Sequence, residues 1–165
     1  MSQSGDDTGK ISITEYQQVC QKEYDDDLEK YSTEIAKLAS YMANANELAK
    51  NKSLLYKRRQ EYVKRKFQIA DKVVYLSRNL RSLRRIKLNN YKFGNVAHST
   101  GQVIKPANDF ERKTYLEADL AAFEETKDIL DNHISYLEDS IKTVSDMIFG
   151  IPYIIQLEDF RKMIK

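Results

Sequence analysis

Three observations predict an all-α fold built from long, coiled-coil-like helices. Apolar residues recur at alternating spacings of three and four along most of the chain, the periodicity of helices that bury one seam. The five glycines and two prolines fall outside the longest periodic stretches, so little interrupts them. Charged residues make up 32% of the composition and apolar ones 41%, a balance that suits solvated helices better than sheet. Long helices have much surface for their volume, so the core is expected to be completed by homo-oligomerisation.

Residues 1–10, MSQSGDDTGK, read as a disordered polar tail. GDDTGK is not a phosphate-binding loop, which needs four residues between its glycines and Ser or Thr after the lysine. Here three residues intervene, and Ile11 follows the lysine. The tail lacks the apolar stretch of a leader peptide, and no run approaches the length that spans a bilayer. Cys20, the one cysteine, has no internal disulfide partner, so a reducing cytoplasm is the expected compartment.

Residues 11–93 are expected to form an N-terminal helical region, either one very long helix or two with a bend, because no Pro or Gly lies between Lys10 and Phe93. Ser12 and Glu15 have the spacing of a capping box at its start. A break is expected near Asp25-Asp26-Asp27, read as a solvated helix start. Adjacent helical side chains point apart, so these carboxylates do not converge on a metal. From Tyr31 a seam runs through residues 35, 38, 42, 45 and 49. It then changes phase to Leu55, Tyr62, Ile69, Leu76 and Leu83.

Residues 94–112 read as a connecting loop punctuated by Gly94, Gly101 and Pro106. Val103 and Ile104 suit a short strand, and His98 reads as a loop histidine without ligand neighbours. Residues 113–165 form a C-terminal helical region whose seam begins with Leu116, Leu120 and Phe123. Its later members, Leu130, Ile134, Leu137, Ile141, Val144 and Ile148, are read as the oligomerisation seam. His133 beside it is expected to be a satisfied, partly buried side chain. Gly150 and Pro152 are expected to end this helix. A short C-terminal oligomerisation helix would follow, with Tyr153, Leu157, Phe160 and Ile164 on one face. It would dock on the core or on a neighbouring subunit.

Charge is distributed unevenly. Residues 50–92 carry fifteen Lys/Arg and two acids, a local charge of +13, between flanks of −6 and −5. A purely solvated face would mix its signs to gain i,i+4 pairs. A membrane-surface helix would show bulkier apolar residues towards lipid. Single-stranded nucleic acid fits better, since Tyr56, Tyr62, Phe67, Tyr75, Tyr91 and Phe93 are interleaved with the cations, and single-strand binders pair a cationic track with aromatic stacking faces. Binding through the backbone, without base reading, is the expectation. The acidic N-terminal segment is expected either to compete with nucleic acid for this basic arm or to meet a basic protein. No catalytic grouping, metal-ligand cluster or cofactor motif stands out, so neither an enzyme nor a cofactor is expected.

RRIKLNNYKFG at residues 84–94 resembles the basic-aromatic motif of the UvsY recombination mediators of T-even-like phages, of the form Lys-Ala-Arg-Leu-Asp-Tyr-Tyr-Ser-Gly. KTYLEAD at 113–119 and ISYLEDSIKTVSDMIFGIPYIIQLEDFRKM at 134–163 resemble the helices that follow in that family. The resemblance covers about half the chain. Asn89 and Asn90 stand where the motif has Asp and its first Tyr. The resemblance implies a non-enzymatic helical homo-oligomer, a ring, that binds single-stranded DNA in the host bacterial cytoplasm. It further implies loading of a RecA-like recombinase onto strands coated by single-strand-binding protein, in phage recombination, repair and replication. The family's DNA-binding Lys and Arg fall on Arg85 and Lys87, and its assembly helices on residues 114–164. Combined with the charge pattern, the expected DNA-binding set is Arg81, Arg84, Arg85, Lys87, Tyr91, Lys92 and Phe93, with Tyr91 or Phe93 stacking on bases. The assembly set is the seam from Leu130 to Ile148 with Tyr153, Leu157 and Phe160. The alternative reading is a structural coiled-coil adaptor that bridges protein partners and meets nucleic acid only non-specifically.

Overall fold

A computed structural model describes residues 12–43, 45–94, 96–97, 103–104 and 106–164. The N-terminal tail with its GDDTGK segment, His98 and Gly101 lie outside the described residues. The fold is all-α. Its long helices are α1 (Ile13–Tyr41), α2 (Ala45–Phe93) and α3 (Asp109–Ile164). Two-residue strands β1 (Val96–Ala97) and β2 (Val103–Ile104) pair antiparallel, with Val96 opposite Ile104 and Ala97 opposite Val103. The chain divides into two compact units. One comprises Met1–Lys22 and Val74–Ile129, the other Glu23–Val73 and Leu130–Lys165.

The capping chemistry follows the sequence closely. Ser12 Oγ accepts from the Glu15 amide at 3.2 Å, and Glu15 Oε2 accepts from the Ser12 amide at 2.7 Å. These bonds satisfy two donors that a helix start leaves unpaired. Asn108 Oδ1 accepts from the Glu111 amide at 2.9 Å at the start of α3, and Glu111 Oε2 accepts from the Ala107 amide at 2.8 Å. The connection is therefore shorter than expected, and α3 begins at Asp109 rather than at 113. Gly94, with φ of 74°, ends α2 in the left-handed conformation that lacks a steric penalty only for glycine.

The 11–93 region is two helices, not one. α1 ends at Tyr41, where the Met42 amide donates to Ala39 O at 3.1 Å and the Ala43 amide to Ser40 O at 3.4 Å. These i→i−3 bonds tighten the last turn. In the unit of Glu23–Val73 and Leu130–Lys165, α2 then runs antiparallel to α1. Tyr62 packs on Tyr31 with ring centroids 4.5 Å apart, and its hydroxyl donates to Glu34 at 3.1 Å. α3 lies parallel to α1, as the contacts of Asp27 with His133 and of Leu28 O with the Tyr136 hydroxyl require. Leu48, Leu55, Tyr62 and Ile69 recur every seven residues and are fully buried in this unit. Burying each such side chain stabilises the unit by roughly 1.5–3 kcal/mol. Leu48 corrects Ala49 as the seam position at the start of α2; Ala49 is exposed.

Further expectations are revised here. α1 continues through Asp25-Asp26-Asp27 without a break, and Asp27 is buried rather than solvated. In α3 the buried line is Leu130, His133, Leu137, Ser140, Val144 and Ile151, while Ile134, Ile141 and Ile148 are only half-buried beside it. Serine is tolerated on that line because Ser140 Oγ donates to Tyr136 O at 2.9 Å within its own helix, so the hydroxyl is satisfied without a partner across the core. Leu130, Leu137 and Val144 are thus spent on the chain's own core, which corrects their placement in a subunit seam. α3 also runs through Gly150 and Pro152 to Ile164, so no separate C-terminal helix exists. Proline removes one helical hydrogen bond, but Ile151 is buried on one side of the helix and a Cβ at Gly150 would lie 3.3 Å from Met42 Cε. That close approach holds the helix against the unit where the proline would weaken it.

In the unit of Met1–Lys22 and Val74–Ile129, Tyr91, Leu116 and Leu120 form the core cluster, with Leu83 and Tyr115 packed against it. Cys20, Leu76 and Thr126 are also buried there. Thr126 Oγ1 donates to Ala122 O at 2.6 Å, the same internal solution as at Ser140.

Candidate nucleic-acid interface

The basic helix is partly neutralised by its neighbours. In the unit of Glu23–Val73 and Leu130–Lys165, Arg58 pairs with Glu34 at 3.4 Å and Glu61 at 2.5 Å, and Arg65 with Asp27 at 2.6 Å and Glu23 at 3.2 Å. Lys72 pairs with Glu23 at 2.6 Å and Lys66 with Glu138 at 2.7 Å. The acids of α1 therefore serve as pairing partners for α2 inside the chain. Together with Lys50–Glu47, Arg84–Glu124 and Lys87–Asp119, seven of the fifteen cations of residues 50–92 are in ion pairs among the described residues.

Four of the other eight cations form a track. In the unit of Met1–Lys22 and Val74–Ile129, Arg78, Arg81, Arg85 and Lys92 are exposed and form no ion pair among the described residues. Their spacings of three, four and seven place them on one face of α2, with neighbours separated by about 4.5–6 Å along the axis except across Leu88. No Asp or Glu occurs between residues 74 and 93, so the stripe is not diluted. Phe93 at its end is 71% exposed, and Lys92 Nζ lies 6.0 Å from its ring centroid. A cationic row ending in an open aromatic face can hold phosphates and stack a base.

Other expected contacts fare differently. Tyr91 is buried, stacks on Tyr115 with centroids 6.1 Å apart and donates its hydroxyl to Asp119. Burial, with that hydrogen bond behind it, raises the pKa of its phenol and keeps it neutral. It cannot offer a face to a base, so of the two residues expected to stack only Phe93 has an open ring. Lys87 lies 3.0 Å from the same Asp119 carboxylate and Arg84 2.9 Å from Glu124, so both are partly committed. Arg81, Arg85, Lys92 and Phe93 remain open. Arg78 is the member that sequence reasoning missed, although its i, i+3, i+7 relation to Arg81 and Arg85 was legible.

The unit of Glu23–Val73 and Leu130–Lys165 has its own exposed chemistry. Phe67 stands 65% exposed beside Lys64 and Arg59 on α2. Phe149, Tyr153, Leu157, Phe160 and Ile164 form an exposed apolar line on α3, each at least 60% accessible. The core thus does not take up Tyr153, Leu157 and Phe160. Among the described residues no group of three His, Cys, Asp or Glu is placed to hold a metal ion, and no helix is long and apolar enough to cross a membrane. The chain matches no family model, no curated protein and no solved structure.

Proposed function

We propose that this protein is a non-enzymatic recombination mediator that binds single-stranded DNA as a homo-oligomer. The observation that carries the reading is the stripe of Arg78, Arg81, Arg85 and Lys92, unpaired among the described residues and ending at the exposed Phe93. The resemblance of residues 84–94, 113–119 and 134–163 to the UvsY mediators adds the partners: a RecA-like recombinase and a single-strand-binding protein, in the cytoplasm of a phage-infected bacterium. The exposed line through Tyr153, Leu157 and Phe160 supplies the surface on which copies assemble.

Binding of a labelled single-stranded oligonucleotide across a salt series, against a duplex of the same length, tests the DNA-binding half. Wild type is expected to prefer the single strand, and Arg81→Ala/Arg85→Ala to flatten the salt slope by about 1.4, at roughly 0.7 per lost phosphate contact. Equal affinity for duplex, or an unaltered slope in the variant, overturns it. Mediation is tested by recombinase filament assembly on strands coated with single-strand-binding protein; no acceleration refutes it.

The pairing of seven cations with acids of the same chain favours a second reading. If much of the basic arm exists to hold α1 and α3, the chain is a structural adaptor whose apolar line on α3 bridges proteins. Absence of single-strand binding combined with intact assembly would select that reading.

A further inference from the structure

At the end of the cationic stripe, α2 and the first turns of α3 enclose a pocket of about 390 Å³, lined by Leu88, Lys92, Asp109, Arg112, Lys113 and Leu116. Its size lies within the range of small-ligand sites. Three cations face one carboxylate. Arg112 Nη1 donates to Asp109 Oδ1 at 2.7 Å, and Lys113 has only a long 3.7 Å contact to Glu117. Arg112 Nε is enclosed and donates to no acceptor among the described residues, which leaves a buried donor unsatisfied. Leu88 and Leu116 supply the apolar part of its lining. Cations beside apolar side chains suit a ligand that is anionic at one end and flat and weakly polar at the other.

We propose that this pocket seats one nucleotide of the bound single strand. Its phosphate lies on Lys92, Lys113 and the exposed edge of the Arg112 guanidinium, and its base rests against Leu88 and Leu116. The proposal rests on the single-strand reading and extends it from α2 to the start of α3. The strand follows Arg78, Arg81 and Arg85 and then turns into the pocket at Lys92. An acidic peptide would use the same cations but would leave the apolar lining unused.

The test is fluorescence anisotropy of a labelled oligothymidylate with the full chain, beside an oligomer of the same length carrying abasic sites. Arg112→Gln/Lys113→Gln is expected to weaken binding about tenfold and to flatten the salt slope by about 1.4. Leu88→Gln, at a half-exposed position, is expected to leave the slope unchanged and to reduce the preference for thymidylate over the abasic oligomer, the part carried by Phe93 remaining. Circular dichroism checks that both variants remain folded. If both bind like wild type while Arg81→Ala/Arg85→Ala weakens, the pocket is refuted and the stripe stands. If wild type binds no single strand, both fall. If polyglutamate displaces oligothymidylate at equal charge concentration, the pocket is a peptide site and the nucleotide assignment is overturned.

Discussion

Nε2 of His133 on α3 lies 2.9 Å from Oδ2 of Asp27 on α1. Arg65 Nε on α2 reaches the same oxygen at 2.6 Å, so one carboxylate joins three helices of the unit. Tyr24 covers the imidazole with ring centroids 5.2 Å apart. Nδ1 is enclosed and has no hydrogen-bond partner among the described residues.

This arrangement predicts acid sensitivity. Burial lowers the pKa of His133, and Arg65 opposes the partial restoration by Asp27. Protonation would also place an N–H at Nδ1 where nothing accepts it. Because the folded pKa lies below the unfolded value of about 6.5, the unfolded chain binds more protons between the two. The contribution of His133 is then fully present above about pH 6.5 and is lost progressively as pH falls towards the folded pKa. Urea midpoints at pH 7.5 and 5.5 are expected to fall more for wild type than for His133→Gln. Parallel shifts would show that the imidazole stays neutral, or charges without cost, in this range.

Asp27→Asn is expected to destabilise the chain by about 2–3 kcal/mol, because it leaves Arg65, three-quarters buried, without its shortest partner. Lys66→Ala removes the more open pair with Glu138 and is expected to cost below about 1 kcal/mol. Chemical denaturation measures both. Equal costs would mean that burial does not set the hierarchy of these pairs.

Tyr91 and Phe93 are separable. Tyr91→Phe is expected to lower stability by about 1 kcal/mol, through the lost bond to Asp119, and to leave oligonucleotide affinity unchanged. Phe93→Ala should leave the denaturation midpoint in place and weaken single-strand binding by about 1–3 kcal/mol, the range for one stacking aromatic. The opposite assignment of effects would return the stacking role to Tyr91.

Assembly and core are separable in the same way. Leu137→Ala opens a cavity in the unit's own core and is expected to cost about 2–5 kcal/mol. Leu157→Ser/Phe160→Ser is expected to leave helicity intact and to reduce the mass seen by light scattering towards one chain. An unchanged mass would remove the apolar line from the assembly surface.

How much of this was legible follows from particular residues. Leu55, Tyr62, Ile69 and Leu76 announce their burial through strict heptad spacing, and Ser12 and Glu15 announce their cap. The reversal after Tyr41 is hidden because Met42 and Ala43 are ordinary helix residues, with no Gly or Pro beside them. Its signals were Asn44 and Asn46, which favour turns and helix starts but also occur inside helices, and the opposition of an acidic α1 to a basic α2, which reads equally well as attraction for an outside polyanion. The α3 core line was displaced because a search for apolar residues prefers Ile134 and Ile141 to His133 and Ser140. Hydrogen bonding inside the helix lets the hydroxyl enter the core, and periodicity in hydropathy is blind to that. In the candidate site, Arg81, Arg85, Lys92 and Phe93 were legible as exposed chemistry, whereas the loss of Tyr91 depended on Asp119, 28 residues away.

The separations around Asp27 also bear on when the polar core closes. Arg65 reaches Asp27 across 38 residues, whereas His133 reaches it across 106. The shorter loop costs less chain entropy to close. During synthesis at about 5–20 residues per second, α2 is complete roughly a few seconds before His133 has been added. Pulse-labelled amide exchange during refolding is therefore expected to protect the paired parts of α1 and α2 before residues 130–144. On this schedule the arginine reaches the carboxylate first, and the histidine arrives at a charge already answered.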